Sequence, residues 1–148
     1  MNIVVTLPSE LITAILDRKK SIEVRSKLPL HFDPNNDVVF VAMKGTHKIQ
    51  LYFTVKKFVV YGSSYSNDED IAHAASVPVK WITDYRTGKR FIYAWVIGYV
   101  CVLNNPVFVW NALQMNRNPE SYIYKDYQWE KFKVSRCFAS WQMTYDDM

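Results

Sequence analysis

The order of apolar and polar residues at the start of the chain predicts a strand, a helix and a second strand. Ile3 to Val5 is short and β-branched, which is typical of a strand. The next apolar residues recur at the spacing of one helix face: Leu11, Ile12, Ile15 and Leu16. Pro8 suits the first turn of that helix, because its missing N–H would have had no partner there. From Ser21 to Arg25 apolar and polar residues alternate, so Glu23 and Arg25 share the polar face of a strand.

Later apolar segments predict most of the remaining sheet and two more helices. The strand candidates are Asp37 to Met43, Ile49 to Tyr61, Phe91 to Leu103 and Ser121 to Lys125. Three acidic residues at 68–70 precede an apolar stretch at 71–75, which indicates a short helix. Residues 77–90 show no clear period. Helical spacing returns near the end and predicts a C-terminal helix over about residues 127–143, through Val134, Cys137, Phe138 and Trp141.

These segments indicate one α+β domain over residues 1–148, with a core in about residues 1–125. A chain of 148 residues that is 49% hydrophobic can form one proper core. No run reaches the roughly 18 apolar residues of a membrane helix, and the N-terminus lacks a signal-peptide pattern. We therefore expect a soluble, cytoplasmic protein with no membrane partner. Cys101 and Cys137 lie in surroundings typical of buried free thiols, and a disulfide stays open.

Charge and aromatic content widen the choice of ligands without deciding it. The net charge of +4 and the pI near 9.0 favour contact with phosphates, although the basic excess is modest. Aromatic residues make up 16% of the chain, which fits either a dense core or a surface that stacks on bases. His31, His47 and His73 form no ligand pair at helical or strand spacing, so we expect no metal and no cofactor.

The segment after the first helix carries the most specific chemistry in the sequence. It reads Arg18-Lys19-Lys20-Ser21-Ile22-Glu23-Val24-Arg25 and resembles the ASCH-domain signature of Gly, any, Lys, any, any, Glu, any, Arg. Lys20, Glu23 and Arg25 match, whereas Arg18 stands where the family has Gly. The strand that ends at Lys44 and the segment Asn118-Pro119-Glu120-Ser121-Tyr122 are similar to later parts of small stand-alone members from bacteria and phages.

This resemblance implies a PUA-like mixed β-barrel flanked by short helices, with the C-terminal helix as an extension. It also implies a polar cleft that binds RNA or a modified nucleotide. We expect the ligand to contact Lys20, Glu23, Arg25, Lys44, Tyr93, Trp95, Ser121 and Tyr122. By spacing alone, the charged residues would be an ordinary surface ion-pair strand and the aromatic residues core. A further set would either extend a basic rim or be ordinary solvated charges: Lys56, Lys57, Arg86, Lys89 and Arg90.

Two other functions stay open beside a binding module. The resemblance includes small members that deacetylate acetylated cytidine and others described as ribonucleases, so a hydrolase acting on RNA or a modified nucleoside would use Lys20 and Glu23 as catalytic residues. In the amidohydrolases a nucleophilic Thr occupies the place of Glu23, and a carboxylate does not replace that hydroxyl. The third function is that of a phage-encoded protein that binds a host protein, with Trp129, Trp141 and Tyr145 as anchors. The sequence does not indicate an oligomeric state.

Overall fold

A computed structural model describes residues 1–62, 67–109, 122–126 and 128–140 of the chain. Strands and helices alternate irregularly along it, as expected for an α+β fold. The strands are β1 (Asn2–Leu7), β2 (Ile22–Arg25), β3 (Val39–Met43), β4 (Lys48–Tyr61), β5 (Ile92–Phe108), β6 (Tyr122–Lys125) and β7 (Val134–Ala139). The helices are α1 (Ser9–Leu16), α2 (Asp68–Ala75) and α3 (Val79–Arg86), with a 3-10 turn at Trp129–Lys131.

The strands form one mixed seven-stranded sheet in the described part of the chain. Its hydrogen-bonded order is β2-β5-β4-β3-β1-β6. Among the described strands, only β1 and β3 pair in parallel, and α1 belongs to the crossover between them. The long strands β4 and β5 run antiparallel with several register shifts, which bend them together. One of these shifts lies opposite Gly98, where a Cβ would come within 2.5 Å of Thr54 Oγ1.

The strand β5 is long enough to pair with two strands along one edge. Its first half pairs with β2 and its second half with β7, while β4 occupies the other edge. The predicted C-terminal helix is therefore wrong for residues 134–139. Apolar residues in that segment fit both the helical and the strand period. The segment forms a strand because the free edge of β5 offers backbone hydrogen-bond partners.

The sheet curves around its largest apolar cluster. The ring of Tyr122 on β6 lies 5.5 Å from that of Trp95 on β5, although three strands separate β6 from β5 in the sheet. Within the described residues, no backbone pairing joins the two end strands, β2 and β6. The α+β fold with a mixed sheet is thus confirmed, whereas closure into a barrel stays a prediction.

The helices α2 and α3 form a layer over the outer part of β2 and β5. Ile71, Ala75 and Ile82 pack there against Ile22 and Ile92. The predicted helix at residues 71–75 is confirmed as part of α2, whereas α3 lies in the segment where no period was found. No described helix combines the length and apolar character needed to cross a membrane.

Two buried charges join α2 to α3. The Arg86 guanidinium donates from Nε and Nη2 to Asp68 Oδ1, at 3.1 and 2.8 Å, and also to the carbonyl of Gly62. Both charged side chains are almost fully buried. Arg86 is therefore a structural residue of this helical layer and not part of a basic rim, which corrects the expectation for it.

The two cysteines are not free thiols. Cys101 on β5 and Cys137 on β7 are directly opposite each other in the sheet and form a disulfide. Cys137 is exposed and Cys101 is partly buried. The expectation of buried thiols is thus corrected, because the apolar surroundings of Cys137 belong to an edge strand and not to a helix face.

Candidate functional site

The segment from Arg18 to Arg25 turns sharply between α1 and β2. Helix α1 ends at Leu16, and Arg18 then adopts a left-handed backbone with φ of 60°. The amides of Lys19 and Lys20 both donate to the carbonyl of Ala14, which closes the end of the helix. A non-glycine residue pays a steric penalty in this conformation. The turn delivers Lys20 into the interior, where its side chain is 1% exposed.

Lys20 is held by backbone carbonyls on two sides. Its Nζ donates to the carbonyl of Ile22 at 2.8 Å and to that of Ala75 at 3.1 Å, so it ties β2 to the end of α2. Burial lowers the pKa of Lys20; the carboxylate of Glu23 opposes that shift, and Arg25 adds to it. The fraction of neutral amine near neutral pH is consequently larger than for an exposed lysine.

Glu23 and Arg25 are close together but incompletely satisfied. Glu23 Oε2 lies 3.8 Å from Lys20 Nζ, and Glu23 Oε1 lies 3.8 Å from Arg25 Nε. These separations are ion-pair distances and too long for hydrogen bonds. Among the described residues, neither Glu23 Oε2 nor Arg25 Nε has a hydrogen-bond partner, although both atoms are buried. Such orphaned atoms are costly unless something else satisfies them.

A cavity of about 260 Å³ adjoins these three side chains. One wall comes from the end of β1 and the start of α1, and includes Thr6 and Leu11. Thr6 Oγ1 is a further buried polar atom that lacks a hydrogen-bond partner within the described chain. The opposite wall comes from the end of α2 and from α3, and includes Trp81 and Tyr85.

Trp81 and Tyr85 form an aromatic pair at this cavity. They are four residues apart on α3, and their rings stack with centroids 5.2 Å apart and planes 5° from parallel. Trp81 is 45% exposed, so part of its ring remains accessible. Sequence reasoning missed these two residues and Thr6. The spacing of four between Trp81 and Tyr85 was the available signal, since it places two rings on one helix face.

Strand pairing brings the predicted aromatic residues of β5 next to the charged ones. Glu23 lies opposite Trp95, and Arg25 lies opposite Tyr93. The Arg25 guanidinium also sits 5.9 Å above the ring of Trp95. Trp95 itself is fully buried in the main core, so it supports Arg25 and offers no free face to a ligand. Tyr93 is partly buried against the same core.

Tyr122 reaches the charged residues from the other end of the sheet. Its ring packs on Trp95 and Tyr124, and it is close enough to Arg25 for the two to interact electrostatically. Burial raises the pKa of Tyr122, and Tyr124 raises it further, so the phenol remains protonated at neutral pH. Together, Lys20, Glu23, Arg25, Tyr93, Trp95 and Tyr122 form one neighbourhood, in which Lys20, Glu23 and Arg25 line the cavity and the three aromatic residues lie behind them, outside its lining.

Other predicted residues lie apart from the cavity or outside the described chain. Lys44 is exposed just after β3, where its backbone amide donates to the carbonyl of Leu7, a residue of the cavity wall; Lys44 itself does not line the cavity. Ser121 lies outside the described residues. Of the expected protein-binding anchors, Trp129 packs on Tyr52 at 5.6 Å, and Trp141 and Tyr145 are not among the described residues.

The arrangement can bind a flat polar molecule edge-on. Glu23 Oε2 can accept a hydrogen bond, and Arg25 Nε can donate one. The cavity is slightly smaller than the roughly 300–1,000 Å³ of ordinary small-molecule sites, which suits one heterocyclic ring. Trp81 lines the same cavity, and its ring can cover the face of such a ligand.

Comparison with known proteins identifies the fold and not a close relative. No protein-family model matches this sequence, and none of the curated proteins matches it significantly. Among solved structures, the ASCH protein of Zymomonas mobilis matches with a TM-score of 0.64 and 15% identity, over 84% of this chain and 87% of that one. Two single-residue variants of that protein match at TM-scores of 0.67 and 0.65, with 15% and 16% identity, over 84% of this chain and 88% and 90% of theirs. The chain therefore has the fold of ASCH-domain proteins.

Proposed function

We propose that this protein binds RNA or a nucleotide through the cavity beside Lys20, Glu23 and Arg25, with one base inserted. The observation that carries this proposal is that Glu23 Oε2 and Arg25 Nε, two buried atoms without a hydrogen-bond partner among the described residues, belong to side chains that line a cavity of about 260 Å³. A base edge that presents a donor beside an acceptor would satisfy both atoms. The ASCH-type fold supports the same ligand class, because the resemblance implies RNA or modified nucleosides.

The free-energy cost of leaving Glu23 and Arg25 incompletely hydrogen-bonded favours a functional role for these residues over a purely structural one. A buried group without a hydrogen bond costs about 1–3 kcal/mol, and more when it is charged. A strand that served only stability would gain from apolar residues at positions 23 and 25. Keeping Glu23 and Arg25 incompletely paired at a cavity is instead what a ligand site requires.

The test is direct binding of nucleosides, nucleotides and short single-stranded RNAs to the parent and to Glu23→Gln. This substitution keeps the shape of the side chain and removes its charge. Since hydrogen bonds to charged groups contribute about 1.5–3 kcal/mol, affinity should fall roughly ten- to hundredfold. Calorimetry with nucleosides and fluorescence anisotropy with labelled RNA measure it.

The matched control is Glu130→Gln, which changes an exposed glutamate on the 3-10 turn, outside the cavity wall. It should leave affinity unchanged. The proposal fails if the parent binds none of these ligands, or if both substitutions have the same effect.

The same mixtures also test for hydrolysis. Loss of an acetyl group from acetylcytidine, or cleavage of the RNA, would show that the protein hydrolyses its ligand as well as binding it. Product formation should then depend on Lys20, whose lowered pKa favours a neutral, basic amine.

A further inference from the structure

A second hollow lies beside the proposed base cavity, separated from it by the segment 75–78. Ala75 and Val77 line the base cavity, and Ser76, Val77 and Pro78 line the second hollow, so Val77 contributes to both. The second hollow is broad and open, with a volume of about 710 Å³. Its charged and titratable lining residues are Arg18, Lys19 and His73, and no acidic residue of the described ranges lines it.

Two arginines approach the same aromatic ring near this hollow. The guanidinium of Arg18 lies 5.0 Å from the centre of the Phe138 ring, and that of Arg136 lies 5.3 Å from it. Both arginines are exposed, and Phe138 is partly buried. The ring orients the two cations without neutralising them, because a cation–π contact leaves the guanidinium N–H groups able to donate hydrogen bonds.

Arg18 occupies a backbone conformation that is poorly suited to it. Its φ of 60° lies in the left-handed region, which glycine adopts without penalty. Strained residues persist where surrounding contacts hold them, and they are enriched at binding sites. Closing the end of α1 does not need this side chain, since Gly would do so more easily.

We propose that Arg18, Lys19 and Arg136 bind the phosphodiester backbone of a single-stranded nucleic acid whose base enters the neighbouring cavity. This inference rests on the proposed function and makes it more specific: the ligand is a polynucleotide and not a free nucleoside. Phosphates next to the inserted base pass over the segment 75–78 into the second hollow. Arg18 and Arg136 donate to phosphate oxygens, and the exposed His73 lines the same hollow.

The experiment compares ligands of increasing length on the parent and on Arg18→Gly. The ligands are a nucleoside, its 5′-monophosphate, and an eight-nucleotide single-stranded RNA and DNA of one sequence, each titrated at several salt concentrations. We expect the octamer to bind more tightly than the monophosphate. Arg18→Gly should weaken octamer binding by roughly fivefold or more at low salt and reduce the salt slope by about 0.7. Its nucleoside affinity and its Tm should be unchanged, or the Tm higher.

Two further variants keep the interpretation clear. Arg18→Asn removes the charge but tolerates a left-handed backbone, so it covers the case in which glycine loosens the turn. Lys131→Ala removes an exposed charge from the 3-10 turn and serves as the control.

The inference is overturned if the octamer binds no more tightly than the monophosphate, or if neither Arg18 variant affects octamer binding. If nucleoside binding still depends on Glu23 in that case, the proposed function stands alone. If only the octamer binds and does so through Arg18, the base cavity fails and the phosphate surface stands.

Discussion

Lys20 is a cation whose surroundings favour its neutral form. Its side chain is 1% exposed, and it donates to two carbonyls that belong to different elements. Burial lowers its pKa more than the carboxylate of Glu23 can restore it. The charged form therefore costs folding free energy at neutral pH, and this cost disappears when the amine loses its proton.

This lowered pKa predicts the sign of a pH effect on stability. Between the lowered pKa of folded Lys20 and the ordinary value of 10.5, the unfolded chain binds more protons than the folded one. Stability from this residue should thus rise with pH in that window and be flat below it. The free energy of unfolding of the parent, minus that of Lys20→Met, should be larger at pH 10.5 than at neutral pH in urea titrations.

The neighbouring Lys19 provides the control for that experiment. Lys19 is exposed, so the corresponding difference for Lys19→Met should not change across the same pH range. A difference for Lys20→Met that is constant or falls with rising pH would contradict the assigned burial effect.

Strand β7 is an edge strand that a disulfide links to its neighbour β5. It pairs with the second half of β5, and the Cys101–Cys137 disulfide joins the two strands across 36 positions of sequence. The strand also carries Arg136, which is proposed to bind phosphate together with Arg18 and Lys19, and Phe138, whose ring contacts both arginines. Most of its residues are exposed, so burial alone contributes little to its attachment.

Removing this disulfide should lower stability. A cross-link over a loop of this length typically contributes about 2–4 kcal/mol, mainly by restricting the unfolded chain. The double variant Cys101→Ser, Cys137→Ser should unfold at correspondingly lower urea concentration than the parent. Dithiothreitol should lower the stability of the parent to that level and leave the double variant unchanged. Equal stability of parent and double variant in the absence of reductant would contradict the prediction.

The sequence predicted the elements whose signals are local. Helix α1 and strand β2 were expected near their observed bounds, because proline, periodicity and the change of period all lie within about 20 residues. The end of the chain was misread because Val134 and Phe138 are compatible with both a helix and a strand. The free edge of β5, which chooses between them, is about 35 residues away in sequence and contributes nothing to the local pattern.

The residues of the candidate site also differ in whether local or distant parts of the sequence determine their positions. Lys20, Glu23 and Arg25 were predicted to lie together, and the turn after α1 and strand β2 bring their charged groups to ion-pair distances. The opposite wall, with Trp81 and Tyr85, comes from a helix that was not predicted, because the spacing of four between these two rings was its one local signal. Arg86 was expected at a solvated rim, but its partner Asp68 lies 18 positions away and draws it inside. Charge pairing across that distance cannot be read from composition or periodicity.

For the whole molecule, the cavity lies between the curved sheet and the layer of α2 and α3. Lys20 connects β2 to the end of α2, and the Asp68–Arg86 pair joins α2 to α3. Trp81 and Tyr85 reach the cavity only because α3 is held in place. The stability of this helical layer should therefore control the site as well as the fold.

Breaking the Asp68–Arg86 pair tests this dependence. Arg86→Met would leave the Asp68 carboxylate buried without its cation, which typically costs about 3–5 kcal/mol. In hydrogen exchange, the amides of α2 and α3 should lose more protection than those of β3 and β4, since local unfolding follows local stability. Nucleotide affinity should fall along with this protection. Lys80→Met is the matched control, because it removes an exposed ion pair from the same helix, with Asp84 at 2.6 Å, and such pairs contribute well under about 1 kcal/mol. Equal protection of the helical layer in both variants would mean that the buried pair does not hold the cavity wall.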